Sequence, residues 1–428
     1  MALRSLALSL IGALALAACA SDRDRGPVIA RPGEGPEEPY GVGDPERGPR
    51  PGAIDPLHMQ GDDPVRVALL LPFTANSDSV QKIASAMFDA AQLAAFETGD
   101  RRFLLIPKDT KGNAADAAAA ARSALNDGAE IILGPLFAEE VATVAEVARP
   151  QRVPVVAFSS DIASAGGGVY LLSFPPELEI ARITDYSMSA GMTRFGLIAP
   201  ANEYGERVAS AFAEEIFARG GVLVHQERYE QSPSAMLAPA KRLAAYARER
   251  IPAAVRVDPN APQTAVATRG YQAVLIPEQG TLLRALAPLF PYYNVNINRI
   301  KLLGVSGWQN PRLTREPALR GGWFAAPDPT ITKAFEARFA AAFGQRPPRL
   351  ASLSYDATLL AARLAQNPRR RGRFDERAIT DPNGYFGADG LFRLKPDGAV
   401  ERGLAVLEIQ PDGFRVVDPA PKSFVPGT

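Results

Sequence analysis

From Val65 onward the chain alternates short, nearly continuous apolar runs with longer stretches of helical period. That rhythm constrains the fold more than any other feature. RVALLLPF is a run of strand length closed by Pro72. Between Ser77 and Glu97, apolar residues then fall at Val80, Ile83, Ala84, Met87 and Ala91, the spacing of one helix face. FLLIPKDT follows as a strand, and Asn113 is placed to cap an alanine-rich helix reaching Leu125. AEIILGPL, a helix near Glu139–Arg149, and VPVVAFSS complete the first series. Strands separated by helices at this pace predict a parallel sheet with right-handed crossovers.

A second series repeats the rhythm. GVYLLSFPPE leads into a helix over Leu178–Ala190, and RFGLIAP, VLVHQERYE, YQAVLIPE and KLLGVSGW read as strands. The intervening helices are expected over Tyr204–Arg219, Met236–Arg250 and Leu282–Leu289. Residues 251–269 break both periods and read as an inserted loop. After GGWFAAP come helices over Thr332–Phe343 and Leu353–Ala365, then a β segment with Pro-Asp-Gly turns at 396–398 and 411–413. Two α/β sheets of similar size predict two Rossmann-like lobes with a cleft at the carboxyl ends of their strands.

Composition narrows the function. The 428 residues carry 47 basic and 47 acidic side chains, so the basic face of a nucleic-acid binder is not expected. Only two histidines occur, His58 and His225, far apart, which argues against a histidine metal cluster and a Ser-His-Asp triad. No Walker A or Cys-x-x-Cys motif is present, and Gly304-Val305-Ser306-Gly307 is one residue short of a nucleophile elbow. Neither a cofactor, a metal nor enzymatic activity is expected.

The single cysteine, Cys19, ends the segment MALRSLALSLIGALALAAC. Arg4 supplies a positive start, Leu6–Leu16 an apolar stretch too short to span a bilayer, and Ala17-Ala18 the small residues before the cysteine. The segment resembles a bacterial lipobox: residues 1–18 as signal peptide and Cys19 as the lipidated residue. With Ala20-Ser21 and no Asp after the cysteine, the resemblance implies the periplasmic face of the outer membrane. Residues 20–64 are rich in Pro, Gly and acidic groups and read as a disordered tether. At ~3.1 Å per residue it reaches at most roughly 140 Å.

The ordered series LLLPF, AEIILGPL, VPVVAFSS, GVYLLSFPPE, RFGLIAP, KLLGVSGW, GGWFAAP, SLSYDATLLAA and GADGLFRLKPDG resembles the type I periplasmic binding proteins over Val65–Val417. The resemblance implies three crossings between lobes, near Leu172–Pro176, Gly322–Ala326 and Gly387–Phe392. Lobe one then comprises 65–174 and 325–375, lobe two 175–324 and 376–418, with 419–428 as a tail. Within that superfamily, LLLP at the first strand and the GPL turn at the third resemble the outer-membrane lipoproteins that activate penicillin-binding proteins. This second resemblance implies a non-enzymatic protein that binds a class A penicillin-binding protein, a peptidoglycan synthase. Those lipoproteins carry a long helical-repeat domain where this chain has the tether.

The alternative is a substrate-binding lipoprotein of an ABC importer for amino acids or another small polar ligand. In receptors of this fold, the position after Gly-Pro supplies hydroxyls for an α-carboxylate; here it holds Leu136, Phe137, Ala138, Glu139 and Glu140. The candidate cleft residues are Ser159, Ser160, Asp161, Tyr204, Glu278 and Ser306. Tyr355 and Asp356 are read as a hinge-packing ring and a carboxylate that orders a neighbouring loop, and Trp308 and Trp323 as core or hinge residues.

Overall fold

The computed structural model describes residues 56–59, 63–247, 270–367 and 372–425. The signal peptide, Cys19, most of the tether and the insertion at 251–269 lie outside the described residues. Just upstream of the domain, Leu57–Met59 forms a 3-10 turn with Met59 buried.

The first sheet is parallel, in the order β2 (Phe103–Asp109), β1 (Val65–Leu71), β3 (Ile131–Leu133), β4 (Val155–Ala157), β5 (Val169–Leu171). Every residue of β1 is buried. Val65, Val67, Leu69 and Leu71 enter one core with the helices Asp78–Thr98 and Ala351–Ala365. Ala68 and Leu70 point the other way, against Ala114–Asn126 and Ala138–Ala148. A parallel strand covered on both faces has no position for a polar alternation, which is why its sequence reads as one apolar run.

The second sheet has the order β15 (Gly413–Asp418), β14 (Ala405–Gln410), β10 (Trp323–Ala326), β9 (Lys301–Gly304), β8 (Ala273–Leu275), β6 (Arg194–Pro200), β7 (Val222–Tyr229). Its last two strands run antiparallel, paired through the Pro-Asp-Gly turn at 411–413. Trp308 is fully buried in this lobe's core. Trp323 is half-buried with the Lys301 ammonium 4.2 Å from its ring.

The first crossing runs from β5 to the helix Pro176–Ser189. The second follows Ala326, because all of β10 pairs within the second sheet. The third differs from expectation. Gly387 and Gly390 close a hairpin between β11 (Tyr385–Gly387) and β12 (Gly390–Leu394), and β12 pairs with β13 (Val400–Arg402). Tyr385, Phe392, Leu394 and Val400 all pack into the β1 core. Lobe one therefore continues to Arg402 and the chain crosses at 403–404; residues 376–402 do not belong to lobe two.

The turn after β3 is held against β1. Gly134 has φ +91°, and a Cβ there would lie 2.2 Å from the Leu70 carbonyl oxygen. Immediately after it, Glu140 folds back so that Oε2 accepts from the Phe137 N–H at 3.4 Å, satisfying a free amide at the start of Ala138–Ala148. Glu140 is fully buried, and that burial pushes its carboxyl up to about 7.

Two predictions follow from this turn. Gly134→Ala combines a left-handed backbone with a clash against main chain, and should cost on the order of 2–4 kcal/mol in urea unfolding. A change within about 0.5 kcal/mol, the range of a neutral surface substitution, would contradict the close approach. For Glu140 the folded value lies above the ordinary 4.5, so native protein keeps a proton that unfolded chain has released. Stability is lost as pH rises through that window. Glu140→Gln should therefore be more stable than the parent by about 2–3 kcal/mol at pH 8, with the difference falling below about 1 kcal/mol near pH 4.5. An equal difference at both pH values would show that the carboxyl is not desolvated.

Candidate functional site

A cleft of about 580 Å³ opens where the carboxyl ends of β3 and β4 face the second lobe. Val80 and Ile83 of Asp78–Thr98 form one wall, and Leu136, Phe137 and Ala138 of the turn form the next. Phe158 and the segment Ser159–Ala163 continue it, and Glu203 and Arg207 enter from the helix Glu203–Ala218 of lobe two.

The polar groups of lobe one are largely committed to their own loop. Ser159 Oγ accepts from the Asp161 N–H at 3.1 Å. Asp161 accepts from the Ala163 N–H at 3.1 Å and caps the 3-10 turn Ile162–Ser164. The Ser160 carbonyl accepts from Arg207 Nη2 at 3.4 Å, a contact that bridges the two lobes. Arg207 is itself held by Glu177, with Nε and Nη2 donating at 3.0 and 3.1 Å. Sequence reasoning did not single out Arg207 or Glu177. They lie 30 residues apart, and only the packing of two helices brings them together.

Tyr204, Glu278 and Ser306 do not join Ser159, Ser160 and Asp161 in that cleft. Glu278 is buried in lobe two, accepting from the Tyr229 hydroxyl at 2.7 Å and the Gln279 N–H at 3.0 Å. Ser306 donates its hydroxyl and its N–H to Glu179 at 2.6 and 2.8 Å. Burial holds Glu179 above the usual carboxylate range, and the two bonds from Ser306 oppose that shift. Tyr204 is 38% exposed, but its hydroxyl end is desolvated within reach of Glu179, Glu278 and Glu177, which together push it up. The three expected lobe-two residues thus organise the interior and rim of that lobe, while Glu203 and Arg207, on the same helix as Tyr204, face the cleft.

The chemistry of this arrangement is limited. The helix start that would cradle a carboxylate has one amide taken by Glu140, and presents Leu136 and Phe137 to the cleft. Asp161 and Glu203 add negative charge, which disfavours an anion further. Among the described residues no group of His, Cys, Asp and Glu is arranged to hold a metal ion.

The profile of the periplasmic binding protein family matches residues 64–413. The penicillin-binding protein activator LpoA of Vibrio cholerae is 27% identical over 188 residues, 42% of this chain and 29% of that protein. The match therefore spans less than a third of that relative's length. Among solved structures, a putative branched-chain amino acid ABC transporter protein from Rhodospirillum rubrum superposes with TM-score 0.67 at 16% identity, covering 83% of this chain and 100% of that one. An ABC transporter substrate-binding protein from Sphaerobacter thermophilus gives TM-score 0.63 at 18% identity, covering 84% and 98%. At such identities the superpositions establish the two-lobed fold alone. With the profile covering most of its length, the chain belongs to the periplasmic binding protein family.

Proposed function

We propose that this protein is a non-enzymatic lipoprotein, anchored through Cys19 on the periplasmic face of the outer membrane, that binds and activates a class A penicillin-binding protein. The observation that carries the reading is the turn at 134–140. Its backbone is that of a ligand-binding fold, but Leu136 and Phe137 stand where a receptor for an α-carboxylate needs hydroxyls, and Glu140 claims an amide of the helix start. The likeness to LpoA supports the same direction, since that protein is named for activating a penicillin-binding protein. The stretch from Cys19 to residue 64 supplies reach from the membrane, and the two-lobed domain supplies the contact surface.

A second reading, the binding lipoprotein of an ABC importer, is favoured by the open cleft itself and by the fold neighbours. The two separate experimentally. A purified class A synthase from the same cell should bind the full chain in a surface-capture titration. Thermal melts with the common amino acids should show no stabilisation. A ligand present at 100 times its dissociation constant would add about 2.7 kcal/mol, so a saturable upward shift with any amino acid, together with no synthase binding, would replace the first reading with the second.

A further inference from the structure

We propose that Asp356, Asp389, Arg349 and Arg402 form a proton-sensitive latch on the hinge between the lobes, so that uptake of one proton by the carboxylate pair changes the interlobe angle. This goes beyond the proposed function and does not depend on it.

The cluster sits where two of the three crossings meet. Arg402 ends β13, immediately before the third crossing, and its Nε donates to the Ser173 carbonyl of the first crossing at 2.7 Å. Phe174, the next residue of that crossing, carries both guanidinium groups, Arg349 at 3.6 Å and Arg402 at 4.5 Å from its ring. The carboxylates belong to lobe one. Asp356 lies on the helix Ala351–Ala365 and Asp389 in the β11–β12 turn, both buried. Arg349 Nη1 lies 2.8 Å from both oxygens of Asp389. Ser173, Phe174 and Arg402 are the lobe-one groups that abut the first and third crossings, so the hold of Arg402 on Ser173 ties the two crossings together.

Asp356 is the incompletely satisfied member. Oδ1 accepts from the Ala388 N–H at 2.6 Å, while Oδ2 has no hydrogen bond and lies 3.8 Å from Arg402 Nη1. Neither Nη atom of Arg402 makes a hydrogen bond. The main chain leaves the carboxyl little room, since a Cβ on Gly387 would lie 2.1 Å from Oδ1. A neutral Asp356 suits this arrangement, with Arg402 resting on Ser173 and Phe174. An ionised Asp356 adds a second buried negative charge beside Asp389, and the nearest donor that relieves it is the Arg402 guanidinium. Drawing Arg402 Nη1 the remaining distance toward Oδ2 turns the guanidinium whose Nε holds the Ser173 carbonyl, and so shifts its bond to the first crossing. Burial, then the charge of Asp389, push the Asp356 carboxyl up to about 7, with Arg402 and Arg349 opposing.

The other charged or titratable groups around the cluster are Glu179, which faces Arg349 from lobe two, and Arg363 and Tyr385. The last two line, with Asp356, a cavity of about 260 Å³. Across the domain, the 3.4 Å contact between Arg207 and Ser160 is an interlobe bond that a change of angle would alter.

The test is a distance measurement between spin labels on exposed helix positions of the two lobes, Ala142→Cys and Glu214→Cys, in the full chain with Cys19→Ser. The expected result is a distance distribution that changes between pH 5.5 and pH 8.5 with a midpoint near 7. Asp356→Asn, a neutral isostere, should hold the low-pH distribution throughout. Asp389→Asn should move the midpoint to lower pH. Glu140 titrates in the same range but lies away from the crossings, so Glu140→Gln should leave the response unchanged. Superimposable distributions at both pH values in the parent overturn the proposal, as does a parent-like response in Asp356→Asn. If Asp356→Asn does not fold, the parent series and Asp389→Asn decide: an unmoved midpoint counts against the latch.

Discussion

The two-sided burial of β1 is the constraint on which the rest of lobe one depends. Its odd residues lie in one core and Ala68 and Leu70 in the other, so the strand can neither slip by one residue nor turn without exchanging its two faces. Because β3 pairs directly with β1, the same constraint places the turn that ends β3. The Leu70 carbonyl presses against Gly134 and aims the following helix at the cleft. The position of Leu136 and Phe137 is therefore a consequence of core packing. The side-chain chemistry there is apolar at Leu136 and Phe137 and acidic at Glu139 and Glu140.

Much of the fold was legible in the sequence because buried parallel strands and amphipathic helices leave local signatures. The β1 run and the face traced by Ile83, Ala84, Met87 and Ala91 correspond to elements whose residues meet in the predicted layers. The third crossing was not legible. Gly387-Ala388-Asp389-Gly390 has the composition of a connection, and nothing local shows that Tyr385, Phe392 and Leu394 find their partners in the β1 core. Tyr355 is a similar case. In the sequence it reads as a hinge-packing ring, but its hydroxyl donates to Glu97 and accepts from Arg338 at 3.0 Å, tying three helices of lobe one. Its neighbour Asp356 does order a loop, through the Ala388 N–H, and also faces the buried arginine at the crossing. The cleft divided in the same way. The lobe-one segment 159–161 could be placed from the end of a strand. The Arg207–Glu177 pair, and the internal use of Glu278 and Ser306, follow from contacts that no spacing encodes.

The cleft presents Leu136 and Phe137 on its lobe-one wall, and the crossings carry the buried charges of Asp356, Asp389 and Arg402. A receptor that captures a small ligand concentrates polar recognition in the cleft. Here the buried, densely bonded polar groups lie elsewhere: Glu179 with Ser306, Glu278 with Tyr229, and the Asp–Arg cluster at the crossings. These groups are spent on the protein's own interior and on the segments that join the lobes.

The most direct test of that account is the rate at which a purified class A penicillin-binding protein from the same cell polymerises glycan strands, with and without the full chain. The account predicts a saturable rise in rate that depends on the chain's concentration and is insensitive to added amino acids. An unchanged rate at saturating chain would contradict it.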